Sequence, residues 1–170
     1  MVSVMTTTLD PRSVAETVTD PELPMLTLSD LGVLRDVRVE HGTVVVEITP
    51  TYTGCPAMSA MRADLVGALR AAGFPDVEVR TVLAPPWSTD WITVEGRRKL
   101  VQAGIAPPGA APVREPGPVP LHLGPSRRTA ECPLCGSPDT EEISEFGATA
   151  CKALRRCRSC REPFEHVKEI

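Results

Sequence analysis

Histidine and aromatic residues are scarce in this chain: three His, two Trp, one Tyr and three Phe among 170 residues. That scarcity excludes several chemistries. A serine-hydrolase type of triad needs a well-placed histidine, yet His41 falls in a turn, His122 in a proline-rich stretch and His166 near the C-terminal end. The Glu-x-x-His pair that di-iron helical bundles use is absent. So are a glycine-rich phosphate loop and a dinucleotide fingerprint. No apolar run approaches the roughly 18 residues of a membrane helix. Residues 1–10 lack the basic start and apolar stretch of a secretory leader. The expected setting is therefore cytoplasmic, where thiols stay reduced. A formal net charge of −4 argues against general nucleic-acid binding.

Cysteine, in contrast, is present in a pattern. Cys132-Pro133-Leu134-Cys135 and Cys157-Arg158-Ser159-Cys160 are two Cys-x-x-Cys pairs with 21 residues between them. Each pair can wrap a tight knuckle around one ion, and two knuckles complete a four-thiolate tetrahedron with zinc-ribbon spacing. The surrounding stretch is too short and too poor in large apolar residues to fold on a core alone, so metal would supply folding energy. Structural Zn2+ on Cys132, Cys135, Cys157 and Cys160 is the expected state. An iron–sulfur or redox-active site and disulfide pairing are the alternatives.

Proline marks a boundary. Seven of the 18 prolines lie between Ile105 and Thr129, and proline fixes φ and removes a backbone donor. This stretch reads as an extended linker, partly polyproline II. The expected organisation is a domain at 1–104, a Pro-rich linker at 105–129 and a zinc ribbon at 130–170.

Within the first domain, Asp10-Pro11 signals a helix start. Asp20-Pro21-Glu22-Leu23-Pro24 ends that helix in a rigid turn. Val37 and Val39 alternate with Asp36, Arg38 and Glu40, and Val44, Val46 and Ile48 with Val45 and Glu47, on either side of His41-Gly42, which predicts a hairpin. Met58, Met61, Leu65 and Leu69 describe one apolar stripe of a helix that Gly73 ends. Val77 and Val79 predict a third strand, and a last helix is expected from Asp90 to Gln102. The order predicts an α+β fold: a small three-stranded sheet packed with helices, followed by the C-terminal zinc ribbon.

Few residues of the first domain are candidates for chemistry. Cys55, in Thr49-Pro50-Thr51-Tyr52-Thr53-Gly54-Cys55-Pro56, is expected at the start of the long helix, where amides stabilise a thiolate. The plain alternative is a small buried cysteine beside the sheet. Asp20 either meets Cys55 or simply caps its own turn, with Glu22 facing water. Trp87 and Trp91 either pack on the domain or form a partner contact, with Asp90 as a helix N-cap. Cys151 is open between a replacement ribbon ligand, a second reactive thiol and packing near the metal. In the ribbon, basic residues Lys152, Arg155, Arg156, Arg158 and Arg161 follow acidic Asp139, Glu141, Glu142 and Glu145. Mixed charge and the lack of stacking aromatics favour a protein partner over nucleic acid.

The segments 20–24, Asp30-Leu31-Gly32-Val33 and 49–56 together resemble the small domain of iron–sulfur assembly accessory proteins. Trp87-Ser88-Thr89-Asp90-Trp91-Ile92, Gly96-Arg97-Arg98-Lys99-Leu100, Cys132-Pro133-Leu134-Cys135-Gly136-Ser137, Ala150-Cys151-Lys152-Ala153-Leu154 and Glu162-Pro163-Phe164 narrow that likeness. The chain resembles the PaaD family, accessory components of the bacterial phenylacetyl-CoA monooxygenase (epoxidase) of aerobic phenylacetate degradation. The resemblance implies a maturation role without intrinsic catalysis, helping to insert an iron–sulfur cluster or iron into a partner. Within that role Cys55 would be a transient cluster or iron ligand and Asp20 its neighbour. The implied partners are the oxygenase and reductase components, and iron–sulfur assembly proteins. A structural or regulatory subunit of the oxygenase, and less so a nucleic-acid-binding ribbon, are the competing roles.

Overall fold

The computed structural model describes residues 10–52, 54–111 and 130–169. They form two compact units that divide between Trp87 and Ser88.

The first unit opens with α1 (Pro11–Ala15), whose N-cap Asp10 accepts the amides of Arg12 and Ser13, with proline in the first turn. An extended passage follows, in which Thr19 bridges Thr27 antiparallel. Leu23, Leu26, Leu28 and Leu31 from this passage are all buried. Next come β1 (Leu34–Glu40) and β2 (Thr43–Ile48), an antiparallel hairpin. His41 and Gly42 both have positive φ, 50° and 90°, as a two-residue turn matched to strand twist requires. Then α2 (Met58–Ala71) crosses over to β3 (Val77–Thr81), which runs parallel to β2. The sheet order β1-β2-β3 makes β2 the central strand. That explains its Val44-Val45-Val46 run, buried on both faces. On α2, Met61, Leu65 and Leu69 repeat every four residues and are buried.

Arginines cover the open edges of this sheet. Arg62 donates to the Val79 carbonyl at 2.7 Å and Arg12 to the Val37 carbonyl at 3.4 Å. Capping outer-strand carbonyls in this way discourages edge-to-edge pairing.

Trp87 closes the first unit. It is 5 % exposed, and its indole Nε1–H donates to the Leu31 carbonyl at 2.9 Å. Of the two readings of this tryptophan, it takes the packed one. Trp87→Phe leaves the Leu31 carbonyl buried without that donor. We expect a loss of about 1–3 kcal/mol, read as a lower urea midpoint at unchanged m-value; an unchanged midpoint would show that the bond contributes nothing.

The second unit begins with a 3-10 turn (Thr89–Trp91) and α3 (Val94–Gln102). The expected single helix from Asp90 is therefore split. Ile92 is extended between the two pieces, and the Thr93 hydroxyl, not Asp90, caps α3 by accepting the Gly96 amide at 2.9 Å. Asp90 instead accepts the Ala111 amide at 3.0 Å. After α3 come β4 (Ile105–Ala106), β5 (Thr140–Ser144), β6 (Lys152–Cys157) and β7 (Pro163–Val167), in the order β4-β7-β6-β5. Strand β4 runs parallel to β7.

This pairing revises the start of the expected linker. Ile105 and Ala106 precede the first proline and keep their amides, so they serve as an edge strand. Arg97 donates to the carbonyls of Pro108 and Thr89 at 2.6 and 2.8 Å, and Glu169 accepts the Gly109 amide at 3.0 Å. Residues 105–109 are thereby fixed within the second unit, and the expected break after residue 104 falls inside it. Residues 112–129 of the expected linker lie outside the described residues. Among the described residues no helix is long and apolar enough to cross a membrane.

Candidate metal centre and thiol site

The two Cys-x-x-Cys pairs converge. The four sulfurs of Cys132, Cys135, Cys157 and Cys160 all lie within 4.8 Å of one another. Cys132 and Cys160 sulfurs are 3.8 Å apart, those of Cys135 and Cys157 3.6 Å. A tetrahedron with metal–sulfur bonds of about 2.3 Å has sulfurs about 3.8 Å apart, so the cluster is the right size for one ion.

The knuckles are copies of each other. In each, the first cysteine's amide donates to the carbonyl five residues on: Cys132 to Ser137 and Cys157 to Glu162, both at 3.0 Å. In each, the residue after the second cysteine has positive φ, Gly136 at 73° and Arg161 at 65°. Arginine adopts this conformation rarely, so the turn, not the residue, dictates it. The Ser137 and Ser159 hydroxyls meet at 2.8 Å.

Crowding sets the acidity of the group. The Cys160 amide, 3.5 Å from the Cys157 sulfur, draws that thiol down to about 6 against the opposing effect of burial. Cys160 goes the other way, to about 12. The Glu162 amide lowers it, but burial and the neighbouring thiols outweigh that effect. Cys157 ionises readily while Cys135 and Cys160 resist, as like charges held together must. A divalent cation removes that conflict. Four thiolates with no open position are the donor set of a structural site rather than a catalytic one.

Cys151 does not belong to this group. It precedes β6, whereas Cys157 ends it, so six residues at about 3.4 Å each put it about 20 Å away along the strand. Its sulfur lies 3.1 Å from the Thr149 hydroxyl. The readings that made it a ribbon ligand or packed it near the metal are thereby corrected. His166 is buried in β7 and is likewise outside the sulfur cluster.

Four of the five basic residues of the ribbon's run are paired internally. Glu141 binds Arg156 and Arg158, Glu142 lies 3.5 Å from Arg155, and Lys152 meets Glu165 at 2.8 Å. Phe146 is 63 % exposed, so the ribbon does present one aromatic ring; the Lys168 ammonium sits 4.6 Å from its centroid.

In the first unit Cys55 lies in the connection that follows β2. Strands β2 and β3 run parallel, and the Thr49 and Val82 amides leave them by donating to Val33 and Ile48 carbonyls at 2.9 Å each. The connection 49–57 starts there and carries Cys55. The N-cap of α2 is Ala57, which makes no side-chain cap. Cys55 thus lies two residues before the helix cap rather than at the helix start. It is half-buried, in a turn where its amide donates to the Tyr52 carbonyl at 3.3 Å and its carbonyl accepts the Met58 amide at 3.4 Å. Gly54 before it has φ 89°.

Asp20 is 5 % exposed, and its Oδ1 accepts the amides of Glu22 and Leu23 at 2.9 and 2.8 Å. This is the turn-capping role, with Glu22 half-exposed beside it. Two further residues escaped the sequence reading. Asp30 is buried and closes a reciprocal pair with Thr27, each side chain accepting the other's amide at 3.0 Å. Thr49 is 1 % exposed, and its hydroxyl has no hydrogen-bond partner among the described residues. The signal was a threonine directly after a buried strand and before proline, too common to stand out. The carboxyl ends of parallel strands are where open α/β sheets bind ligands.

Known proteins match the two parts of the chain separately. Residues 12–83 match a family model described as iron–sulfur cluster assembly protein, and residues 116–168 match one described as PaaD zinc beta ribbon domain. The chain is 46 % identical over 157 residues to an Escherichia coli (strain K12) protein named as a putative subunit of 1,2-phenylacetyl-CoA epoxidase, covering 90 % of this chain and 87 % of that one. Among solved structures, a domain of unknown function from Bacillus anthracis is 28 % identical, with a TM-score of 0.49, over 53 % of this chain and 87 % of its own. A Mycobacterium tuberculosis protein described as associated with Fe-S complex assembly and repair is 29 % identical, with a TM-score of 0.35, over 54 % of this chain and 80 % of its own. An assembly-type domain joined to a PaaD-type metal ribbon, with identity along nearly the whole chain, places this protein in the PaaD family.

Proposed function

We propose that this protein is a maturation factor for a multicomponent phenylacetyl-CoA epoxidase. The first unit carries iron or an iron–sulfur cluster as cargo on Cys55, with Asp20 holding the adjacent turn. The second unit, folded around Zn2+, docks on the recipient. Oxygenase and reductase components of the epoxidase are the recipients, and iron–sulfur assembly proteins the donors, in the cytoplasm. The observation that carries this reading is the position of Cys55: a half-buried thiol in the connection that leaves the carboxyl end of a parallel strand, a connection opened by Thr49, whose buried hydroxyl has no partner among the described residues. The relative named for an epoxidase supports the pathway, and the assembly-type match over 12–83 supports the cargo.

Transfer tests it. Loaded with iron and sulfide without air, the protein should pass metal to a metal-depleted epoxidase component. Loading without any transfer would refute the role.

Thr49→Val gives a second check. A buried hydroxyl without a partner costs about 1–3 kcal/mol, so the variant should melt no lower than the parent. If the hydroxyl serves the cargo, transfer falls nonetheless. A variant that melts several degrees lower would mean that Thr49 is structural.

A stable role within the epoxidase complex is the competing reading, favoured by the relative's being named as one of its subunits. It predicts co-purification with the oxygenase, and activity loss without metal loss on deletion. Nucleic-acid binding is disfavoured by the internal pairing of the ribbon's arginines.

A further inference from the structure

After the turn that ends α1, in which the Thr17 and Val18 amides donate back to the Val14 and Ala15 carbonyls at 3.1 and 3.2 Å, the chain is extended at Thr19. The Leu28 amide donates to the Val18 carbonyl and the Asp20 amide to the Leu26 carbonyl, each at 2.9 Å. Thr19 and Thr27 therefore face each other as a non-hydrogen-bonded antiparallel pair, in which each residue's own N–H and C=O point away from the other. Those of Thr27 are used: its amide donates to Asp30 at 3.0 Å, and its carbonyl accepts the Leu31 amide at 3.1 Å. Those of Thr19 have no partner among the described residues, and Thr19 is exposed.

A groove of about 420 Å³ lies beside Thr19, floored on α2 by Ala63, Asp64, Gly67 and Ala68. Gly67 is informative. Glycine inside a helix costs about 1 kcal/mol relative to alanine. Yet nothing lies within 4 Å of where its Cβ would be, so no neighbour in the fold requires it. Its effect is to keep the groove floor low, opposite unused backbone groups. Asp64 is exposed and has no ion-pair partner among the described residues.

We infer that this groove takes an extended segment of a partner protein, paired to the backbone of Thr19, with a lysine or arginine of that segment set against Asp64. Backbone pairing with the Thr19 N–H and C=O supplies the main bonds, as in other strand-addition complexes. The small α2 side chains let the added backbone approach, and the Asp64 carboxylate selects a basic side chain. This site is separate from Cys55 and from the metal centre, so it stands whether or not the protein carries metal.

The probe is a capped seven-residue peptide of alternating threonine and valine with one central lysine, titrated into the full ¹⁵N-labelled chain. Saturable shifts should centre on the Thr19 and Gly67 amides. A central glutamate in the peptide, or Asp64→Asn in the protein, should weaken binding about two- to fivefold, the range of an exposed ion pair. Methylating the peptide amides on alternate residues should abolish binding in one of the two registers. Gly67→Val fills the groove and should weaken binding at least about tenfold; valine is a better helix residue than glycine, and an unchanged melt confirms the fold. The inference is overturned by unchanged binding to Gly67→Val, by shifts that map elsewhere, or by no saturable shift at millimolar peptide. Shifts at Thr19 and Gly67 that follow protein concentration alone would assign the groove to a second copy of this chain and also overturn it.

Discussion

Cys132→Ser or Cys157→Ser should empty the metal centre and unfold the ribbon. The apolar cluster of the ribbon consists of Ala106, Ala130, Cys132, Cys157 and Phe164, with Cys160 packed against it. Two of those five members are metal ligands, and only Phe164 is large. Structural zinc supplies about 10–16 kcal/mol in zinc-finger peptides at neutral pH. That equals or exceeds the whole stability of a typical domain, about 5–15 kcal/mol. Removing one ligand therefore removes the main term holding β5, β6 and β7 together. We expect one zinc per chain in the parent and none in either variant. Amide protection should vanish through Lys152–Cys157 and Pro163–Val167 while the Leu34–Ile48 hairpin stays protected. Because β4 pairs with β7, Ile105 and Ala106 should lose protection as well. A strong chelator should have the same effect, and Cys151→Ser should have none on metal content. A variant that keeps its ribbon amides protected without metal would show that the small cluster suffices alone.

Cys55→Ala should act in the opposite way: fold and zinc unchanged, cargo delivery lost. Cys55 is half-buried in a connection, and its backbone makes turn bonds of 3.3 and 3.4 Å. Alanine keeps that backbone and those bonds, so the loss of stability should stay near the typical single-substitution value of about 1 kcal/mol, too little to unfold the domain. For cargo, loss of even an outer partner of a metal ligand costs about 10- to 100-fold in affinity, so loss of the ligand itself should cut delivered iron at least tenfold. The recipient's metal content is the readout, in protein produced with the parent or with the variant. Full metallation with Cys55→Ala would leave Cys55 as a small packed residue and end its role.

Local chemistry made much of this molecule legible from its sequence. Asp10-Pro11, His41-Gly42 and Gly73 each demand a particular backbone conformation, and each has it. The stripe Met61, Leu65 and Leu69, spaced four residues apart, faces the core as helix geometry dictates. The two Cys-x-x-Cys pairs converge because each knuckle fixes its own turn. Long-range pairing was not legible. Ile105-Ala106 is too short to show a strand period, and its partner in β7 lies beyond the proline-rich stretch. The 90–102 helix was split by Thr93, a better cap than Asp90 because it directly precedes the unbroken helical run. Cys151 looked close to the metal because it lies between the two pairs in sequence; the direction of β6 carries it to the other end. Thr49 gave only a common signal, a threonine between a buried strand and a proline, and a buried hydroxyl is ordinary until its missing partner is seen.

The division of labour between the units can be tested by counting metal. Iron and zinc are determined in the protein loaded without air, for the parent, Cys55→Ala and Cys132→Ser. The account predicts one zinc and bound iron in the parent, zinc alone in Cys55→Ala, and iron without zinc in Cys132→Ser. Iron that persists in Cys55→Ala and disappears with zinc in Cys132→Ser would contradict it, because the ribbon would then hold the cargo and the first unit would not.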